Sequence, residues 1–396
     1  MHRCTLIAVL ATLSLAAAAG AACIPGTSPG AIQTELNAGR NAVLCQNATF
    51  NITYMITFAV NGTQIYTEGA PTGATRAKLR IASAAVQTII YGVDKSNIQI
   101  RNVIIDGARP TYGYVRPNAE GLIRIGGNAS GQKVQYVEAY EPRGWTAMAI
   151  YHGDLVWNGT AWVGGCTAAT ITNNFIHDSG DVETRNWADG ISLSCRNSYV
   201  GYNTVQDATD GGIVVFGSPG STIEFNTVRN INRTGLGGIC MVDTTYRRWV
   251  SLGAVQTEAG DFTGTSVQYN TVEANAEYCG LFCFPTRLYI GIAMGPRIWW
   301  CSPPNGVVSV YGGKAIGNHL TGNAMANGMP ADGVLNWTAT GNTSDAYFMG
   351  ITSSSSCGGT NTQNAFVKHS DGRVPHATGT FQPEYIVGQG HHLHPF

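Results

Sequence analysis

Asp178, Asp181, Glu183, Asp189, Asp207 and Asp210 crowd into one window of a chain in which only 12% of residues are charged, about half the usual 25%. Within that window only Arg185 and Arg196 answer them. Carboxylates held close together cannot all ionise equally, so their pKa values divide into an acid and a base. Cleavage of a glycosidic bond needs such a pair, one carboxyl to protonate the leaving oxygen and one to activate water or attack. Asp189 and Asp210, each at the entry to a Gly-containing apolar run, are the candidate catalytic pair, and Asp178 with His177 is a second candidate. Asp181 and Glu183 are candidate substrate contacts. The same residues have a plainer use, because Asp-Gly is an ordinary corner in which the carboxylate caps its own turn. Calcium is a third use, since carboxylates and turn carbonyls are hard oxygen ligands. No other cofactor or metal site is expected.

The elements that must position these residues repeat. Between Ile171 and Val242 the chain reads ITNNFIHDSGDVETRNWADGISL, then VGYNTVQDATDGGIVVF, then IEFNTVRNINRTGLGGICMV. Asn174, Asn203 and Asn226 each stand three residues after an apolar one, and Gly190, Gly212 and Gly238 each precede Ile. Repeats of roughly 20 to 30 residues with short strands describe coils that stack on copies of themselves, because one coil cannot bury its own apolar face. The expected fold is all-β, a single-stranded right-handed parallel β-helix of about nine or ten coils, its hand following the crossover preference of parallel strands. An Asn at one corner tolerates a left-handed backbone and can bond the coil above. Looser copies run over Ile98–Gly107, Val134–Ile150, Val267–Phe282 and Ala315–Trp337. Ser28–Gly39 predicts a short helix with Ile32 and Leu36 on one face, laid across the open end as a cap. The solenoid is expected over 23–337, followed by a polar tail over 338–396.

Insertions at 151–165, 243–264 and 284–312 are expected to follow the Gly-Ile face and pile up on one side. They carry Trp157, Trp162, Tyr246 and Trp249, aromatic walls on which pyranose rings could stack. In the first, Asn158-Gly159 predicts a hairpin with a two-residue loop, Trp157 opposite Thr160 and Leu155 opposite Trp162. Arg233 is expected beside the acidic turns and Asp243 beyond it, so the groove would hold a polysaccharide between carboxylates, aromatics and a cationic clamp.

Residues 1–22 read as a secretory signal: a basic start, an apolar run from Leu6 and small residues at Gly20–Ala22. No later run is long enough to span a bilayer, and a secreted, extracellular monomer is expected. N-glycosylation sequons stand at Asn47, Asn51, Asn61, Asn128, Asn158, Asn232, Asn336 and Asn342. Of ten cysteines, Cys4 leaves with the signal, so at least one of the rest is unpaired. Proximity suggests Cys23 with Cys45, Cys166 with Cys195 and Cys279 with Cys283, leaving Cys240 as the free candidate. A formal charge of −1 without a basic stripe argues against nucleic acid or an anionic membrane as partner.

The coil pattern opening on a capping helix resembles the pectin-lyase-like superfamily of right-handed parallel β-helices, from about Ala31 to Trp337. Locally, NWADGIS at Asn186–Ser192 is similar to the Asn-Thr-Asp-Gly strand entry of polygalacturonases, and TDGGI at Thr209–Ile213 stands where their paired aspartates come. That resemblance implies Asp189 and Asp210 as acid and base. The chain departs from it at Gly211, where the second aspartate of the pair belongs, and in NRTGLGG, where a histidine motif belongs. A secreted glycoside hydrolase acting on a polysaccharide is the expected function. A polysaccharide lyase or uronate epimerase, drawing its base or cation from Arg233, Arg247, Arg248 or Tyr246, is the alternative on the same fold. A noncatalytic glycan-binding or cell-wall protein is the alternative of a different class, because fold does not fix activity.

Overall fold

The computed structural model describes residues 22–26, 29–115, 120–157, 162–184, 186–241, 262–277, 287–295, 312–329 and 337–346. Their strands form three parallel sheets, of ten, ten and nine strands, in each of which a strand pairs with its counterparts in the coils before and after. One coil shows the plan. Thr170–Thr172 belongs to the first sheet, Phe175–His177 to the second and Asp189–Leu193 to the third, and Tyr199–Gly201 then begins the next coil beside Thr170–Thr172. This is the right-handed parallel β-helix that the repeat predicts.

Strand register explains the repeat. Ile100, Val134, Ile171, Val200, Ile223, Val267 and Ala315 align as one inward column, and all are fully buried. The third sheet is different, because its strands Asp189–Leu193, Gly211–Val215 and Gly235–Met241 are buried at every position. Glycine permits this packing: a Cβ on Gly212 would stand 2.3 Å from Val228 Cγ1 and 2.6 Å from the Gly238 carbonyl oxygen. The helix Pro29–Asn37 buries Ile32 and Leu36, which share a core with Leu44 and Phe50.

Asn174, Asn203 and Asn226 occupy one corner, together with Asn270, Asn318 and Asn342. Each Nδ2 but that of Asn342 donates to the next Oδ1 at 2.8 to 3.0 Å, and all six donate to a first-sheet carbonyl of the preceding coil, as Asn203 does to Ile171 at 2.9 Å. The left-handed residue is not the ladder Asn, as the sequence suggested, but the one before it: Asn173, Tyr202, Phe225 and Tyr269 have φ of 58°, 59°, 55° and 54°. The ladder Asn must keep its amide aimed along the axis, so the preceding residue takes the bend. Bulky residues adopt this backbone only at a cost. Here the rings stack outside the corner, Tyr202 on Phe225 at 5.1 Å and Phe225 on Tyr269 at 5.6 Å.

Three expectations change. Pairing runs past 337, with Thr338–Thr340 and Thr343–Ser344 continuing the first two sheets, because Asn342 supplies another rung. The insertion expected over 284–312 contains the third-sheet strand Leu288–Met294, paired with Gly235–Met241; its Gly291-Ile292 repeats the register of the earlier coils. The hairpin after Tyr151 exists, but Trp157 pairs with Trp162 rather than Thr160.

Cys23–Cys45 and Cys166–Cys195 are disulfides, and Cys240 is free and buried. Cys279 and Cys283 lie outside the described residues. Asn342, one of the sequon asparagines, is fully buried in the ladder. No helix among the described residues is long and apolar enough to cross a membrane.

Candidate active site

Asp189 opens the third-sheet strand of its coil because its own N–H donates to the Trp145 carbonyl at 2.8 Å and its neighbours Ile191 and Leu193 are core residues. Its carboxyl accepts from Ser192 Oγ at 2.7 Å and from the Gly211 amide of the next coil at 3.0 Å. Ser192 in turn lies 2.9 Å from Thr146 Oγ1 of the preceding coil. Asp210 directly precedes Gly211, and its N–H donates to the Ala188 carbonyl at 3.2 Å. The two carboxylates therefore stand one coil apart at the same strand entry, 2% and 5% exposed.

Burial dominates the electrostatics. It pushes the Asp189 carboxyl up to about 7, against the opposing hydrogen bonds of Ser192 and Gly211. Burial, helped by the charges of Asp189 and Asp210, also raises the Cys240 thiol well above its ordinary range. Cys240 aligns with Val214 and Ala293 in the third sheet.

This sheet carries aromatic flanks that the sequence reading did not single out. Trp145 and Phe216 are buried in an apolar cluster separate from the solenoid interior, with Tyr151, Trp187 and Tyr289 packed half-exposed against it. Tyr151 Oη donates to Glu120 at 2.9 Å, and the Arg124 guanidinium stands 5.1 and 5.2 Å from the Tyr91 and Tyr151 rings. Trp187 was within reach of sequence reasoning, lying two residues before Asp189. Of the expected walls, Trp157 and Trp162 form a facing pair in the hairpin register, while Asp243, Tyr246 and Trp249 lie outside the described residues.

The acidic turn after the second sheet forms a separate group. His177 Nδ1 is 2.7 Å from Asp178 Oδ2, and its Nε2 is 3.6 Å from Glu138 Oε1. The imidazole lies between Tyr140 and Phe175, centroids at 4.8 and 4.4 Å. Burial alone would lower its pKa, but the Asp178 and Glu138 carboxylates outweigh that and raise it to about 9. The hydrogen bond with His177 in turn holds both carboxyls below their ordinary range.

Ion pairs continue across coils. Arg233 Nη2 reaches Asp178 at 3.2 Å and Glu141 at 2.8 Å, Arg109 pairs with Glu141 and reaches Asp181 at 3.2 Å, and Arg76 pairs with Glu138. Asp207 orients Arg233 by accepting the N–H groups of Ile231, Asn232 and Arg233 at 2.8 to 3.2 Å. Glu183 is exposed and donates its N–H to Asp181. Asp178 and Asp181 are thus each paired with an arginine. The structure thus assembles two groups from the sequence candidates: a buried one at Asp189 and Asp210, and a salt-linked one at His177, Asp178, Asp181 and Arg233.

No family model matches the chain, and no curated protein matches it. Solved structures with similar coordinates include the Dettilon tailspike protein, 17% identical over 79% of this chain and 61% of that one, TM-score 0.42. A pectate lyase is 13% identical over 89% and 82%, TM-score 0.42. The A-module of a mannuronan C-5 epimerase from Azotobacter vinelandii is 12% identical over 82% and 94%, TM-score 0.35. The chain spans under two thirds of the tailspike chain, and likeness at these identities is one of fold.

Proposed function

We propose that the protein is a carbohydrate-active hydrolase in which Asp189 serves as general acid and Asp210 as base or nucleophile toward a polysaccharide. The observation that carries this reading is the placement of two buried carboxyls at the same strand entry of adjacent coils, Asp189 bonded to the Gly211 amide beside Asp210. A low-dielectric site keeps a carboxyl protonated near neutral pH, which a leaving glycosidic oxygen requires. Half-exposed Trp187, Tyr151 and Tyr289 give the same face ring surfaces on which sugar can stack. Both carboxyls are nearly closed to solvent in the free protein, so substrate has to open this entry to reach them.

The lyase or epimerase reading would make His177 or a neighbour the base. Its imidazole is held as a cation up to about pH 9 and sandwiched between rings, which suits an ion-pair junction better than proton abstraction. Incubating purified protein with plant, fungal and algal polysaccharides, while reading reducing ends and the absorbance of unsaturated products, tests the choice. Hydrolysis releases reducing ends alone. Unsaturated products would favour the lyase, and polymer retention with neither signal would favour a binding protein.

A further inference from the structure

Far from Asp189, near the start of the second sheet, a cleft of about 400 Å³ opens on the outside of the solenoid. Asn47, Ala48 and Thr49 line it consecutively, and these three residues are an Asn-x-Thr sequon. Asn47 turns the corner with φ of 60°, held by its N–H to the Thr75 carbonyl at 2.9 Å. Among the described residues its exposed side-chain amide has no hydrogen-bond partner. Four other sequon asparagines are engaged: Asn342 in the ladder, Asn128 with Asp154 in both directions, Asn232 with Asp207 and Asn61 with the Ser96 N–H; Asn51 is exposed like Asn47 but does not line the cleft.

The rest of the lining is amphiphilic. Ile104 supplies an apolar floor, the Arg76–Glu138 ion pair one polar wall and Lys78 a cationic rim. A concave site of this size with an apolar base and a few polar groups suits one or two sugar rings, which have an apolar face and a hydroxyl edge.

We propose that Asn47 carries an N-linked glycan whose proximal sugar is seated in this cleft against Ile104. The inference rests on export along the route that the leader implies, and it is independent of the catalytic reading. Transfer comes from a lipid-linked oligosaccharide diphosphate. The Asn47 Nδ2–C1 bond forms, the bond from C1 to the phosphate oxygen breaks, the amide gives up one proton and the lipid diphosphate leaves. The seated sugar then bridges the 47–49 corner and the Gly73–Arg76 loop.

The test is secretory expression of the full chain in a eukaryotic host, glycopeptide mass analysis, and timed release of the Asn47 glycan by a peptide N-glycosidase under native conditions. Asn47 should be occupied, and Ile104→Ser should speed native release at least tenfold while release after denaturation stays unchanged. Lys78→Ala, which alters only the rim, gives the same comparison should Ile104→Ser fold poorly. An unmodified Asn47, or equal native release from wild type and the folded cleft variants, overturns the proposal.

Discussion

Asp189 Oδ1 accepts the Gly211 N–H of the following coil at 3.0 Å, tying a buried carboxyl to the backbone beside a second one. Because burial raises the Asp189 pKa from 3.8 to about 7, the folded state holds a proton that the unfolded chain has released. The stability from this group is full below about pH 4 and is lost as pH rises toward 7. Urea unfolding from pH 4 to 8 should show that decline, and Asp189→Asn should flatten it. An unchanged slope in the variant would mean that the carboxyl is already ionised when buried.

His177 acts in a different window. Its folded pKa of about 9 exceeds the ordinary 6.5, so its contribution is complete below pH 6.5 and disappears as pH rises through 9. His177→Gln should remove most of the fall in melting temperature between pH 7 and 9.5. Retention of the full wild-type fall would assign it to other groups.

The asparagine ladder should carry substantial stability. Asn226 accepts from Asn203 N and Nδ2 at 3.0 and 2.9 Å and donates to Val200 O and Asn270 Oδ1, both at 2.9 Å. Asn226→Ala orphans several buried groups, each costing about 1 to 3 kcal/mol, so a loss of roughly 3 to 5 kcal/mol in denaturant unfolding is expected. Asn342→Ala, at the last rung, should cost clearly less. Equal costs would show that the rungs do not act as a chain.

Glycine on the third sheet should be as demanding. Gly212→Ala would place a methyl 2.3 Å from Val228 Cγ1 and 2.6 Å from the Gly238 oxygen. Overpacking costs typically about 1 to 3 kcal/mol, and contact with backbone puts this case at the upper end. Gly211→Asp would place its Cβ 2.1 Å from Val214 Cγ2 and should destabilise too. A melting temperature within one degree of wild type for both would contradict the packing described.

The ladder was legible because each coil repeats the same residue at the same corner. The left-handed position beside it does not follow from residue preference, although the pairs Tyr202-Asn203, Phe225-Asn226 and Tyr269-Asn270 repeat there. Stacking energy between coils overrides the usual Asn and Gly preference there, and single-residue propensity contains no such term. Leu288–Met294 is not legible as a strand because the residues before it do not repeat the spacing of the earlier coils. The ion pairs of Arg233 with Glu141, 92 residues apart in sequence, and of Arg76 with Glu138, 62 apart, have no local period to betray them. The Asp189 and Asp210 entries were visible as Asp-Gly, but their burial was not, since it depends on both faces of the third sheet being covered.

Turnover of Asp189→Asn and Asp210→Asn, measured as reducing ends released from the same panel of polysaccharides as for the wild type, tests the proposed catalytic roles most directly. Asn preserves shape and most turn hydrogen bonding while removing the transferable proton and the charge. Each variant should keep its fold by circular dichroism and lose about a hundredfold or more in kcat, the scale of a missing general acid or base. Folded variants that retain full activity would show that the two carboxyls cap corners and that the chemistry lies elsewhere.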